Sequence, residues 1–244
     1  MSEQMSWRER PPSPAEPREW SFPDIERRVL SNGLRVLCAR HGSAPLVSVR
    51  AVVRSGASSE PEDRAGLASL TASLLDEGAG ERDALTIAED VARLGAFLGT
   101  GADWDASYVS LDVLSRNLEP GLEIVRDVLA EPHFEQEEID RERDRRLTTI
   151  LQQRDEPSFI ASRSFTGMVY EGVRWGSPLI GTEQTLQSIT REDVVDHYDE
   201  TFAPSNVCVS ALSRKALRLH STAKSANPPE RSFSMGRLRP TWLP

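Results

Sequence analysis

Residues Gly66–Gly80, GLASLTASLLDEGAG, decide how this chain is read. Leu67, Leu70 and Leu74 recur at helical spacing, so the stretch predicts a helix with one buried face. Ser69, Ala72 and Ser73 fall at i, i+3 and i+4 and share another face of it. Just upstream, Asp63 is a plausible N-cap. Further upstream, Leu46–Ser55 reads as a strand. Before that, Leu30–Leu37 (LSNGLRVL) reads as a hairpin, with Asn32-Gly33 as a two-residue turn between apolar runs.

The same alternation continues along the chain. Strand-like runs fall at Arg28–Leu30, Leu34–Ala39, Val47–Arg54, Ala96–Gly101, Ser107–Leu114 and Asn206–Leu212. Helical runs fall near Arg64–Asp76, Ala84–Leu94, Leu118–Ala130, Glu135–Arg154, Phe159–Tyr170 and Arg191–Thr201. Strands interleaved with helix pairs indicate an α+β fold: a largely antiparallel sheet with helices packed on one face.

Several blocks of this text, in this order, resemble the pitrilysin/insulinase family of zinc peptidases, the inverzincins. They are LSNGLRVL, Gly56-Ala57-Ser58, and Phe134–Pro157 (FEQEEIDRERDRRLTTILQQRDEP). Gly181-Thr182-Glu183 with Ile189-Thr190-Arg191-Glu192-Asp193 follows, and then Tyr198 with Phe202-Ala203-Pro204-Ser205-Asn206. The resemblance covers roughly residues 25–210. In that family the Gly66–Gly80 helix carries His-x-x-Glu-His. The two His hold zinc, and the Glu takes a proton from the metal-bound water. Here the first His position is Ser69, the Glu is Ala72 and the second His is Ser73. Aligning on Pro157 puts the third ligand, a Glu in the family, at Thr149. A neutral hydroxyl is a poor zinc ligand and alanine cannot accept a proton. All four positions are substituted, which implies no bound zinc, no other cofactor and no peptidase activity of the chain by itself.

The resemblance further implies that Ala96–Asp103 (AFLGTGAD) presents a strand edge to a peptide, with Leu98, Gly99, Thr100 and Gly101 at its centre. Recognition of this kind works through backbone hydrogen bonds to an added strand. The family often has Asn-Ala where this chain has Gly99-Thr100.

Other chemistry-bearing residues have bland readings. His41, His133, His197 and His220 are scattered. His197 stands four residues after Asp193 on one helix, a spacing that suits a metal or a solvated face. His133 reads as a loop residue before an acidic helix start, where the helix dipole favours carboxylates. Asp76-Glu77 reads as a solvated helix end. The series Arg141, Arg143, Arg145, Arg146, interleaved with Asp140, Glu142 and Asp144, reads as a mixed-charge solvent face. Cys38 and Cys208 lie in apolar strand-like runs and read as buried thiols.

The chain has 244 residues, 38% hydrophobic and 27% charged, which is ordinary globular composition. A net charge of −9 argues against nucleic acid as a partner. No apolar run approaches the roughly 20 residues that span a bilayer. The N-terminal text has no hydrophobic stretch after its charges, so it reads as neither signal peptide nor anchor, and cytoplasm is the expected compartment. Three units are expected: residues 1–24 as a disordered Pro-, Glu- and Arg-rich arm, 25–212 as the peptidase-like domain, and 213–244 as an atypical basic tail. Lysine occurs only in that tail, at Lys215 and Lys224. The tail reads either as a frameshifted or truncated end or as a native basic extension.

Together these readings describe a catalytically inactive domain that helps a zinc-bearing sister subunit bind peptides. Two alternatives stand beside it. One is a zinc metalloendopeptidase with non-standard ligands, such as His41 or His197. The other is a truncated, non-functional gene product.

Overall fold

In the computed structural model, which describes residues 21–213, six strands form one sheet. They are β1 (Ile25–Val29), β2 (Arg35–Arg40), β3 (Leu46–Val53), β6 (Phe97–Ala102), β7 (Ser107–Leu114) and β8 (Val207–Ser213). A two-strand ribbon, β4 (Gly78–Ala79) with β5 (Arg82–Asp83), stands apart. The sheet order is β1-β2-β8-β3-β7-β6, and every pairing is antiparallel except β2 with β8. The period-2 pattern decides which face is inward. Val47, Val49, Ala51 and Val53 of β3 are buried with Ser107, Val109, Leu111 and Val113 of β7, while the residues between them point away.

The helices are α1 (Leu67–Ser73), α2 (Ala84–Arg93), α3 (Leu118–Ala130), α4 (Gln136–Gln153), α5 (Pro157–Val169), α6 (Glu183–Ser188) and α7 (Arg191–Thr201). Leu70 and Leu74 from α1 and its C-cap, with Ile124 and Val128 of α3, complete one core against the inward face. Burying each such side chain contributes roughly 1.5–3 kcal/mol. α3 comes close to β7 because Gly121 lacks a side chain: a Cβ there would stand 2.8 Å from Leu111 Cδ2. The α+β architecture with helices over one face of a mostly antiparallel sheet is therefore the one the periodicities imply. Among the described residues no helix is long and apolar enough to cross a membrane.

Several local expectations are corrected. The β1–β2 connection is not a two-residue Asn-Gly turn. Gly33 N donates to Leu30 O and Leu30 N to Leu34 O, so Ser31 and Asn32 form the turn. Gly33, at φ +88°, takes the left-handed position after it. Asp63 is not the N-cap of α1. It lies in a 3-10 turn, and the cap position is Gly66. Cys208 is only half-buried, unlike Cys38. Ser213 is buried at the end of β8, opposite Arg40 and Val47, so the strand runs one residue past the expected boundary at 212. The short α6 and the β4–β5 ribbon have no sequence signal long enough to show a period. The expected N-terminal arm, up to residue 20, and the tail from residue 214, with the choice between a frameshift and a native extension, lie outside the described residues.

Candidate functional site

α1 is anchored at its N-terminus by a carboxylate from outside the helix. Glu60 Oε1 accepts from Gly66 N at 2.9 Å and Oε2 accepts from Ala68 N at 2.8 Å. A negative group there satisfies orphan amides and meets the positive end of the helix dipole. Arg174 Nη2 donates to Glu60 Oε1 at 2.6 Å, and the Glu60 side chain is wholly buried. Burial pushes the Glu60 carboxyl above its usual range, against the pull of both amides and Arg174. Gly66 and Gly181 both have positive φ and lie back to back. A Cβ on Gly181 would stand 2.6 Å from Ala65 O. Thr185 then donates from Oγ1 to Ala65 O, so the capping box of α6 (Thr182 with Thr185) is tied to the start of α1.

The Ser69, Ala72, Ser73 face of α1 meets α4. The Arg146 guanidinium lies between the two serines. It donates to Ser69 Oγ at 2.8 Å, Ser69 O at 2.8 Å and Ser73 Oγ at 2.9 Å. Its Nε donates to Glu142 Oε1 at 2.8 Å. Ser69 Oγ donates in turn to Leu179 O at 2.6 Å. Ser73 Oγ has Leu70 O at 3.0 Å and Glu142 Oε1 at 3.2 Å as acceptors. Glu142 and Arg146 are each only 6% exposed. Arg145, at the surface, forks onto both oxygens of Glu142. Burial pushes the Glu142 carboxyl up, but Arg145 and Arg146 outweigh it and hold it below its usual range. Burial pulls Arg146 below the usual arginine value, with Glu142 opposing.

Of the residues singled out from the sequence, Ser69, Ala72 and Ser73 are thus brought to one place, and Ala72 is fully buried. Thr149 stands two turns beyond Glu142 on α4 but bonds neither serine. Its hydroxyl donates to its own helix, at Arg145 O, 3.0 Å away. Asp76 and Glu77 are not a solvated pair. Thr100 Oγ1 of β6 donates to Asp76 Oδ1 at 3.0 Å, and Arg141 pairs with Glu77 at 2.5 Å. Burial pushes the Asp76 carboxyl up, partly offset by the Thr100 hydroxyl. β6, with Leu98, Gly99, Thr100 and Gly101, is the last strand of the sheet. Thr100 thereby ties that edge to the end of the α1 segment. His41 follows β2 at the surface and His133 Nε2 lies 2.7 Å from Gly80 O. His197 is buried on α7, where burial pulls its pKa down. Asp193 caps its own helix and binds Arg64, so the two do not face a common ion. His220 lies outside the described residues.

The site does not fit a zinc ion. Zinc takes deprotonated sulfur, neutral imidazole or carboxylate. Here both hydroxyls are engaged in hydrogen bonds, and the space between them holds a fixed cation. The one carboxylate, Glu142, already binds two guanidiniums. Among the described residues no group of three or more His, Cys, Asp or Glu is placed to hold a metal ion.

The profile of the family described as Insulinase (Peptidase family M16) matches residues 35–183. The chain belongs to the insulinase family. Among curated relatives, an uncharacterized zinc protease of Rickettsia felis is 26% identical over 181 residues, 74% of this chain and 44% of that protein. A probable mitochondrial-processing peptidase subunit beta of Arabidopsis thaliana is 24% identical over 191 residues, 78% of this chain and 36% of that protein. This insulinase-family chain spans less than half the length of both. The solved structure of a peptidase M16 inactive domain from Pseudomonas fluorescens shares the fold. Its TM-score is 0.74 at 24% identity, over 79% of this chain and 47% of that one.

Sequence reasoning missed the residues that matter most here: Glu60, Glu142, Arg146 and Arg174. Glu142 and Arg146 were read as part of a solvated face. A signal was available, because Ile139, Glu142, Arg146 and Ile150 fall at i, i+3, i+7 and i+11 and form one buried stripe. Two opposite charges on an otherwise apolar stripe imply a partner helix that supplies polar groups.

Proposed function

We propose that this chain is a non-catalytic insulinase-family domain that helps a zinc-bearing sister subunit bind peptides. The observation that carries the reading is the Arg146 guanidinium seated between Ser69 and Ser73. Metal coordination lowers the pKa of water from 15.7 to about 7. A cation in that position repels a metal instead of holding it, and no other cofactor is used. The general base, worth about 10²–10⁴-fold, is replaced by a buried Ala72. What remains of a peptidase is the β6 edge, where a peptide strand can add through Leu98–Gly101 backbone groups. Activity on peptides is named for the relatives and supports this choice of ligand. The reading places the domain in the cytoplasm, where Cys38 and Cys208 stay reduced.

Two measurements test it. Metal analysis of the purified chain is expected to give far less than one zinc per molecule, and labelled peptides are expected to stay intact. Amide exchange at residues 97–102 is expected to slow when peptide is added with the sister subunit. Stoichiometric zinc, or cleavage by the chain unaided, would overturn the proposal.

A further inference from the structure

α5 lies at the surface of the domain, while the segment after it is tied inward by Arg174 and Leu179. None of the 13 residues of α5 is buried. Two adjoining open depressions of about 530 Å³ and 460 Å³ lie along it. Both share Gln153, Phe159, Arg163 and Pro178, so they form one trough. Phe159 and Arg163 are one helical turn apart on α5. The trough is apolar at Phe159, Pro178 and Ile180 and cationic at Arg163. Arg163 makes no ion pair or hydrogen bond among the described residues, in a chain whose net charge is −9.

The trough is continuous with the site described above. Leu179 lines it, and the Leu179 carbonyl accepts the Ser69 hydroxyl. Trp104 lines it too, two residues past the end of β6, and stacks on Trp175 with ring centroids 5.8 Å apart. A strand added to β6 and running past Ala102 therefore arrives at Trp104 and the mouth of the trough.

We propose that this trough is a second peptide subsite, which takes a bulky apolar side chain against Phe159 and a carboxylate of the same peptide on Arg163. This rests on the peptide-binding reading and names its ligand class: extended peptides with an aromatic or large aliphatic residue and an acidic residue two positions away, on the same face of the strand. The apolar wall supplies burial, and the guanidinium supplies a charge-assisted, bidentate contact. Arg154 also lines the trough but is paired with Glu183, so Arg163 fixes which peptides are accepted: a basic residue at that place meets a like charge.

The test uses the full 244-residue chain with three fluorescein-labelled 12-residue peptides. One carries Phe and Glu two residues apart, one Phe and Lys at the same spacing, and one Ala and Glu. Anisotropy is expected to show the Phe/Glu peptide binding roughly 10- to 100-fold more tightly than the Phe/Lys one. Arg163→Glu is expected to reverse that order and Arg163→Lys to retain most of it. Phe159→Ala is expected to erase the preference of Phe over Ala. Equal binding of all three peptides, unchanged order in Arg163→Glu, or no binding of any would each overturn the subsite. Amide exchange at residues 97–102 keeps the two proposals separate. Slowing there with no effect of Arg163→Glu removes the subsite and leaves the β6 edge reading in place.

Discussion

α1 and α5 sit in the same domain and are held in opposite ways. α1 has seven residues and buries five of them. Its N-terminus is capped by Glu60, its serine face is filled by Arg146, and its backbone touches Gly181. α5 has 13 residues and buries none. The contrast teaches where the polar architecture of the domain is concentrated. The serine face of α1 is fixed because an internal guanidinium satisfies it. α5 has no such network and keeps its apolar residues open. Ile160, Phe165 and Met168 are all exposed.

The strongest way to break this contrast is Arg146→Met. It leaves Glu142 buried beside two serines with its inner cation gone, and removing one partner of a buried pair costs about 3–5 kcal/mol. Urea denaturation followed by circular dichroism checks it. The double variant Glu142→Leu/Arg146→Met is expected to recover most of the loss. Buried pairs replaced by apolar groups are often neutral, and Ser69 and Ser73 keep Leu179 O and Leu70 O as acceptors. A double variant as unstable as the single one would show that the serine bonds, not the lone carboxylate, carry the cost.

Gly181→Ala comes next. The backbone there is left-handed and the new Cβ would meet Ala65 O, so a loss of about 2–4 kcal/mol is expected from strain and overpacking together. Gly167→Ala in α5 is the matched control, with nothing within 4 Å of the added carbon. It is expected to be neutral or slightly stabilising, since alanine is the better helix former.

These cases also show what the sequence made legible. The sheet and the longer helices were readable because β3, β7 and α3 each carry several repeats of one period. The shared face of Ser69, Ala72 and Ser73 was readable because the three stand in helical register with their neighbours. The residues that meet that face were not. Arg146 lies far from Ser69 along the chain, and a charge run gives no sign of which members are buried until the partner helix is placed. Glu60 was missed for a similar reason: it acts on Gly66 and Ala68 across a 3-10 turn, where no helical spacing applies.

A pH titration probes α7, which packs beside α1. Burial holds His197 below its ordinary value of 6.5, and its buried Nε2 has no hydrogen-bond partner among the described residues. The fold therefore favours the neutral ring. That stability is present above pH 6.5 and is lost as pH falls through the lower folded value. His197→Leu is expected to flatten the stability profile below pH 6.5. The Glu142 contribution remains and fades only lower, below the ordinary glutamate range, because its folded pKa is depressed. An unchanged slope in His197→Leu would assign the acid loss to the carboxylates.

The smallest expected effect lies on α5 and is the sharpest check on the contrast. Met168 is 77% exposed, so Met168→Ser removes almost no buried area. Surface substitutions of this kind change stability by less than about 0.5 kcal/mol. The same denaturation measurement used for Arg146→Met decides it. A loss above about 1 kcal/mol would mean that α5 packs against something in solution, and sedimentation velocity of the purified chain would then show whether that is a second copy. A null result leaves α5 as an open apolar helix, in contrast to α1, which Glu60 and Arg146 fix in place.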